Sequence, residues 1–474
     1  MKRILFLVPK VAGPAGGGKW NSQWTHTLNE IVQSSIWKVI TPGVLTLAAL
    51  CDPDKYLIDL IDEEFGEVDQ TMEYDIVAIY TVTPNVKRAY MWAAHFRLTR
   101  AHVVLGGVHA SMCPDEASRF ADTLFVGEAE ITWPEFLLDY ERGTVKATYV
   151  QALGQVDIQS SPIPAFNLLP SNGKRIIPIQ TARGCPHGCR FCNLRSLYGR
   201  SYRAKSLNQV YAELEAARKI NPRATIYFTD DNLFCDKQRS TKLFEIMERL
   251  KMNWYAHSDI SFGEDERFIA HAFRSGCRQV LIGLESLNRG SLEELDEHNF
   301  KANYVDKYKM MVENIQRGGI GVIGSFIVGL DGDDAGIFER ISNFIEDVGL
   351  LGASVTVNTP YPGTLNYEQL HAENRIRTYD WNSYTIFEAV IEPATMNYRQ
   401  LNEGYIRLLN MIYDQHNIMN RRSKQFERMK AAFLRALNTQ TGSHGSQSNS
   451  NEVYHEKVQD LVSIRIQRQD DSEL

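Results

Sequence analysis

The chain has 474 residues, enough for two or three cores, and its 43% hydrophobic and 23% charged residues are ordinary globular stock. A formal net charge of -7 leaves no basic surface for nucleic acid. No apolar run reaches the length of a membrane span, and Met1-Lys-Arg-Ile-Leu-Phe-Leu-Val-Pro9 is too short for a signal peptide and lacks a cleavage pattern, so a cytoplasmic protein without a transmembrane segment is expected.

Residues 1–147 alternate short apolar runs (4–8, 56–61, 76–80, 103–105, 124–126) with helical stretches (43–50, 86–98, 114–120). This is the rhythm of βαβ units, hence of a parallel doubly wound sheet with its ligand site at the carboxyl ends of the strands. Those ends carry Thr81-Val-Thr-Pro-Asn85, Gly106-Gly-Val-His109 and Gly127-Glu-Ala-Glu130. Glycine there lets a ligand approach the backbone, and taken alone these loops say no more than a nucleotide-like ligand. A lone loop histidine such as His109 is more often a hydrogen-bonding or packing residue than a metal ligand. The glycine-rich residues 10–21 either close over a ligand or simply move.

Residues 148–174, with Pro162, Pro164, Pro170 and Gly173, lose periodicity and read as a linker. The apolar run Arg175-Ile-Ile-Pro-Ile-Gln180 then leads into Cys185-Pro-His-Gly-Cys189-Arg-Phe-Cys192, bracketed by Gly184 and Gly188, a strand ending in a tight loop. Cytosolic cysteines stay reduced, so these three of the chain's 7 read as metal ligands, and Cys51, Cys113, Cys235 and Cys277 as isolated thiols. Structural zinc takes four ligands, commonly as two cysteine pairs, whereas three thiolates hold a four-iron cluster by three corners and leave the fourth iron open. An incomplete zinc site or buried thiols are the competing readings. Ser206-Leu-Asn-Gln209 is a capping box ahead of Leu207, Val210, Tyr211 and Leu214 at helical spacing. Strand candidates at 224–228, 254–257, 279–283, 321–328 and 353–358 follow, with a helix over 304–317 ending at Gly318-Gly319. The pattern fits six βα units of a partial barrel over 175–365, whose site lies at the carboxyl ends of its strands.

The spacing CxxxCxxC, with Phe191 just before the last cysteine, is the signature of the radical S-adenosylmethionine (SAM) enzymes, and the chain resembles that superfamily. The resemblance implies a 4Fe-4S cluster on Cys185, Cys189 and Cys192 and SAM chelated to the open iron. One electron, from a donor such as flavodoxin or ferredoxin, then yields a 5'-deoxyadenosyl radical. It also implies SAM contacts at Phe191, Ser258 and Glu285, the last in Ile282-Gly-Leu-Glu-Ser286. Asp259 follows Ser258 at the end of the same strand, and Gly324-Ser-Phe-Ile-Val-Gly-Leu-Asp331 resembles the segment beside the adenine. Thr229, Asp230 and Asp231 stand where the superfamily places a Gly-Gly-Glu-like segment for the methionyl ammonium; a solvated turn with a helix N-cap is the plainer alternative. Arg203, with Arg200 nearby, is a partner for the methionyl carboxylate, though such arginines are as often surface ion pairs.

Before such a core, the first domain resembles the cobalamin-binding domain of one class of the superfamily, whose fourth strand typically ends in Gly-Gly-Pro-His and fifth in Gly-Glu-Gly-Glu. Val108 and Ala129 depart mildly from those patterns. This implies cobalamin at Thr81, Pro84, Asn85, Gly106, Gly107, His109, Gly127 and Glu128. The Asp-x-His-x-x-Gly loop that ligates cobalt in other cobalamin proteins is absent, so no protein nitrogen on cobalt is expected.

Residues 366–437 form a helical extension rich in aromatics, among them Trp381, Tyr384, Phe387, Tyr398, Tyr405 and Tyr413. It resembles the C-terminal domain of a branch that includes methylases of hopanoid lipids, and its aromatics either cap the substrate side or are plain core. Residues 438–474 read as a disordered tail. The expected fold class is α/β: an N-terminal Rossmann-like cobalamin-binding domain, a central partial (β/α)6 barrel and a C-terminal helical extension. The implied function is methyl transfer to an unactivated carbon of a small molecule or lipid. A cobalamin-binding radical enzyme doing cyclisation, rearrangement or dehydration, and a non-catalytic iron-sulfur protein, are the alternatives.

Overall fold

Short runs of branched and aromatic residues, each too brief for a stable helix, gather into two parallel sheets. The computed structural model describes residues 1–11, 24–28, 40–170, 174–293 and 295–441. The first sheet contains β1 (Lys2–Val8), β2 (Tyr56–Asp62), β3 (Ile76–Tyr80), β4 (His102–Gly106), β5 (Thr123–Val126) and β6 (Thr148–Val150), in the order β2-β1-β3-β4-β5-β6. Every pairing is parallel. Both faces are apolar, as a sheet covered on two sides requires. Leu5 and Leu7 pack with Ala89, Ala93 and Phe96 of the helix Val86–Arg97, while Ile4 and Phe6 pack with Trp133 and Phe136 of the helix Thr132–Arg142. Strand order reverses between β1 and β3, which creates a crevice at their carboxyl ends. Asn85 bridges it by donating to the Pro9 carbonyl at 2.9 Å.

The boundary expected at residue 147 falls inside this sheet. Thr148–Val150 pairs with β5, and Tyr149 is buried with its ring stacked 5.2 Å from Phe125. A three-residue strand has too little pattern to stand out. The rest of the connection is no free tether, because Phe166 and Leu169 belong to the second core and the Ala165 amide donates to the Leu45 carbonyl. The helix expected over 114–120 is shorter, Pro114–Ala117, and is preceded by an unexpected short helix, Val108–Met112. Apart from Lys10 and Val11, the glycine-rich residues 10–21 lie outside the described residues.

The second sheet runs β7 (Ile176–Ile179), β10 (Thr225–Phe228), β11 (Trp254–Ser258), β12 (Cys277–Glu285), β13 (Gly321–Val328) and β14 (Gly352–Val357). It is parallel throughout and in chain order, and β7 and β14 are its two open edges, so the barrel is partial as expected. Between β7 and β10, the two-residue strands β8 (Ala182–Arg183) and β9 (Arg203–Ala204) pair antiparallel and bracket the cysteine loop. The outer helices start on side-chain caps, with Ser206 accepting from the Gln209 amide and Asp236 from the Arg239 amide.

The C-terminal region is helical at its ends only. Leu365–Ala372, Tyr398–Ile412 and Gln415–Thr441 are helices, but residues 373–397 form a strap held by a bridge between Ile376 and Ile391 and a single turn at Trp381–Ser383. Several of the aromatics are core: Tyr384 and Tyr405 are buried, and Tyr405 donates to the Val355 carbonyl at 3.0 Å. Residues 438–441 continue the last helix; the remainder of the expected tail lies outside the described residues.

Candidate active site

The loop after β7 is held open by its neighbours. Gly184 takes a φ of 98°, where a side chain is strained, and a Cβ there would sit 2.5 Å from the Ser201 carbonyl oxygen. Asp230, at the end of β10, accepts from the Thr181 amide and hydroxyl, both at 2.6 Å, and Asp231 accepts from the Gly184 amide at 3.0 Å. So pinned, the loop presents Cys185, Cys189 and Cys192 to one cavity of about 320 Å³ at the carboxyl end of the barrel, together with Phe191, Asp231, Ser258 and Glu285. That is the shared address expected for them.

Three of the expected SAM contacts, Asp230, Arg203 and Thr229, lie elsewhere. Asp230 does not line the cavity; it is buried, with both oxygens engaged by Thr181, and is a strut rather than either the ammonium acceptor or the cap of the next helix, which is Asp236. Arg203 turns away to donate to Glu128 at 2.9 Å and to the Val156 carbonyl at 2.7 Å, so it is not free for a methionyl carboxylate. Thr229 is not among the lining residues, and Arg200 is 78% exposed beside Glu297.

The cation that does face the cavity is Lys301, on the short helix Phe300–Tyr304. Its Nζ donates to the Gly283 carbonyl at 2.9 Å and to Glu285 at 3.0 Å. Burial by itself would favour the neutral amine, but Glu285 and the neighbouring Cys189 outweigh it and raise its pKa. Nothing in the sequence marks Lys301, which lies in a polar stretch with no motif. Glu285 adopts a φ of 64° where β12 shifts register, an uncommon conformation for a non-glycine residue that turns its carboxylate toward Lys301. On the cavity's other side Asp259 accepts from His187 at 2.8 Å and from Asn232 at 2.6 Å. Burial pushes that carboxyl up, and the hydrogen bonds from His187, Ser261 and Asn232 overcome it and bring it down to about 2.

The donor set fits an iron-sulfur cluster. Cys185, Cys189 and Cys192 line one cavity, and three thiolates are the donor set that holds such a cluster by three corners. Burial raises all three thiols, Cys192 to about 12, so the protons must be displaced by metal when a cluster is built.

The loops at the carboxyl end of the first sheet are organised differently. The Thr81 hydroxyl donates to the Gly106 carbonyl at 2.9 Å and accepts from the Ala110 amide at 3.0 Å. A Cβ at Gly107 would meet the Thr81 carbonyl at 2.6 Å, and one at Gly127 the Gln151 carbonyl at 2.8 Å. Both glycines thus answer first to the protein's own backbone. Asn85 is buried, accepting from the Val82 amide, with Pro84 in the same turn Thr83–Asn85. His109 is fully buried, its Nδ1 3.1 Å from the Thr83 hydroxyl and its Nε2 3.6 Å from Glu116, which supports the packing reading. Glu128 is committed to arginines, accepting from Arg183 at 2.5 Å as well as from Arg203, while Glu130 takes the other Arg183 nitrogen.

These contacts set the two carboxyl ends face to face. Arg183 immediately precedes the cysteine loop and Arg203 follows it, and both reach the Gly127–Glu130 turn of the first domain. Gly363, in the Pro-Gly-Thr turn after β14, lies so close to Met112 that a Cβ would meet its sulfur at 2.2 Å.

Residues 179–345 match the family description "Radical SAM superfamily", and residues 364–456 match "Domain of unknown function (DUF4070)". The chain is 32% identical over 391 residues to the bacteriochlorophyllide d C-12(1)-methyltransferase of Chlorobaculum tepidum, covering 81% of this chain and 85% of that protein. It is 28% identical over 423 residues to the bacteriochlorophyllide d C-8(2)-methyltransferase of the same organism, covering 83% and 92%. Among solved structures, the cobalamin-dependent SAM radical enzyme OxsB, with aqua-cobalamin and SAM bound, superposes with a TM-score of 0.63 at 14% identity, covering 98% of this chain and 75% of that one. Such a likeness speaks for the fold alone.

Proposed function

Since the chain belongs to the radical SAM superfamily of enzymes, with the bacteriochlorophyllide methyltransferases among its relatives, we propose that it is a cobalamin-dependent methyltransferase acting on an unactivated carbon of a small molecule or lipid. The observation that carries this reading is the opposition of the two sites. Arg183 and Arg203, which flank the cysteine loop, pair with the Gly127–Glu130 turn, and Gly363 abuts Met112, so the carboxyl ends of the two sheets are packed together and a substrate between them would meet both.

When bound, a 4Fe-4S cluster would supply the electron that cleaves SAM, and cobalamin would supply the methyl group. Cys185, Cys189 and Cys192 would hold the cluster. Asp231 and Glu285 offer acceptors for the methionyl ammonium and Lys301 a donor for its carboxylate, the role first assigned to Arg203. Burial pushes the Asp231 carboxyl up to about 6, and an incoming ammonium would stabilise its ionised form. Around the first-sheet loops the residues offer packed backbone and apolar surface. Val82 and Pro84 would offer apolar cover for a corrin ring without a strong nitrogen donor, and the His109 Nδ1 is engaged by the Thr83 hydroxyl at 3.1 Å. No general base is required, since hydrogen-atom and methyl transfer leave the protein only to bind, orient and exclude water. The electron source is a low-potential donor such as flavodoxin or ferredoxin. Among the described residues no helix is long and apolar enough to cross a membrane, and the chain's site of action is the cytoplasm.

The test is anaerobic turnover of reconstituted protein with SAM bearing a fully deuterated methyl group, offered tetrapyrrole and lipid extracts separately. A product carrying the deuterated methyl is expected. A product without added methyl would favour ring formation or rearrangement, and absence of 5'-deoxyadenosine would favour a non-catalytic iron-sulfur protein.

A further inference from the structure

The strap at residues 373–397 touches both sites within five residues of sequence. At one end of that stretch, Trp381 leaves its own domain and packs against the first-sheet core. Its indole nitrogen donates to both Glu116 oxygens at 3.1 Å, and its ring stands edge-on to His109 with centroids 5.4 Å apart. Tyr90 adds a hydrogen bond to Glu116 at 3.0 Å, and Asp380 pairs with Lys87 at 2.6 Å. The turn Trp381–Ser383 thereby lies on the turn Thr83–Asn85. These are the loops that shape the first-sheet site, and His109 sits in the helix Val108–Met112 between them and the barrel.

At the other end, Ile386 lines the cysteine cavity with a φ of 68°. A β-branched residue in the left-handed region is a real outlier and persists only where its surroundings enforce it. Here the Ile386 carbonyl accepts from the Val357 amide at 2.8 Å, capping β14, and Tyr361, another cavity residue, donates to the Tyr384 carbonyl at 2.9 Å. Arg375 ties the strap's start to both oxygens of Asp331, and Thr395 ties its end to the Asp333 carbonyl. The strap is therefore anchored to the barrel on either side of Trp381.

We propose that the strap, within the region matching a domain of unknown function, is the positioning element that fixes the first-sheet ligand loops relative to the radical cavity, with Trp381 as its positioning residue. Trp381 acts through Glu116, His109 and the Thr83–Asn85 turn. The inference rests on the cobalamin reading only for its second readout.

The experiment uses full-length, anaerobically reconstituted protein, compared as wild type, Trp381→Ala and Trp381→Phe. The first readout is amide exchange over Thr83–Asn85 and Val108–Met112. The second is hydroxocobalamin affinity from absorbance titration. Trp381→Ala is expected to speed exchange in both segments and weaken hydroxocobalamin binding about tenfold, with iron content and thermal midpoint near wild type. Trp381→Phe keeps a ring but loses the N–H donor, and is expected to fall between. Unchanged exchange in Trp381→Ala overturns the proposal, as does a loss of affinity matched by a general loss of iron and thermal stability. Wild-type protein that fails to bind hydroxocobalamin sinks the cobalamin reading, while the exchange measurement still decides the role of the strap.

Discussion

At the carboxyl end of the barrel, Cys185, Cys189, Cys192, Asp231 and Lys301 point into a cavity; at the carboxyl end of the first sheet, Thr81, Asn85, His109 and Glu128 are bound up in the protein itself. The contrast fits the ligands proposed for each end. A metal cluster and a zwitterion need thiolates, carboxylates and an ammonium delivered by side chains, whereas a large flat ligand needs a shaped surface, and buried side-chain hydrogen bonds build that shape from backbone. Polar residues at strand ends thus have two different duties, and residue type alone does not tell them apart.

The sharpest way to break the comparison is at the cysteines. Replacing Cys185, Cys189 or Cys192 by Ala should abolish iron retention after anaerobic reconstitution, and single replacement of Cys51, Cys113, Cys235 or Cys277 should not. Iron unchanged in all three loop variants would remove the barrel's side of the contrast.

Next in size is Glu128. Converting it to Ala leaves Arg183 and Arg203 buried with Glu130 as their remaining carboxylate, and breaking such buried pairs costs about 3–5 kcal/mol. Urea unfolding should show that loss. Full stability with selective loss of cobalamin binding would return Glu128 to the role of a ligand contact.

The two aspartates after β10 bring the contrast down to adjacent residues. Asp230→Ala strips Thr181 of its partner and should lower stability by about 2–3 kcal/mol. Asp231→Ala, which releases only the Gly184 amide, should lower the urea midpoint less than Asp230→Ala and weaken SAM binding, read by equilibrium dialysis. Equal effects of the two on SAM affinity would contradict the separation of strut from ligand.

The smallest effect is a pH dependence of the cluster-free protein. Burial brings the His257 imidazole down from 6.5 to about 4, and its Nε2 meets the Tyr227 hydroxyl at 2.9 Å. A base with a depressed folded pKa contributes stability that is present above the unfolded value and lost as pH falls from 6.5 toward 4. For a side chain that retains some exposure the loss is about 1–2 kcal/mol, seen as a falling urea midpoint that flattens in His257→Gln.

What the sequence determined by itself was whatever depends on neighbours along the chain. Apolar runs and their spacing located eleven of the strands, Ser206 marked the start of its helix, and the cysteine spacing named the cluster loop, because pattern, cap and loop chemistry act within a few residues. Only the tertiary structure decided which charges meet. Lys301 joins Glu285 across 16 residues, Arg203 finds Glu128 across 75, and Trp381 reaches Glu116 across 265. Each of those side chains is an unremarkable Lys, Arg, Glu or Trp in its local stretch. Their partners are set by which surfaces are buried together, and the strain at Ile386 and the three-residue strand at Thr148–Val150 exist only because neighbouring parts of the fold enforce them.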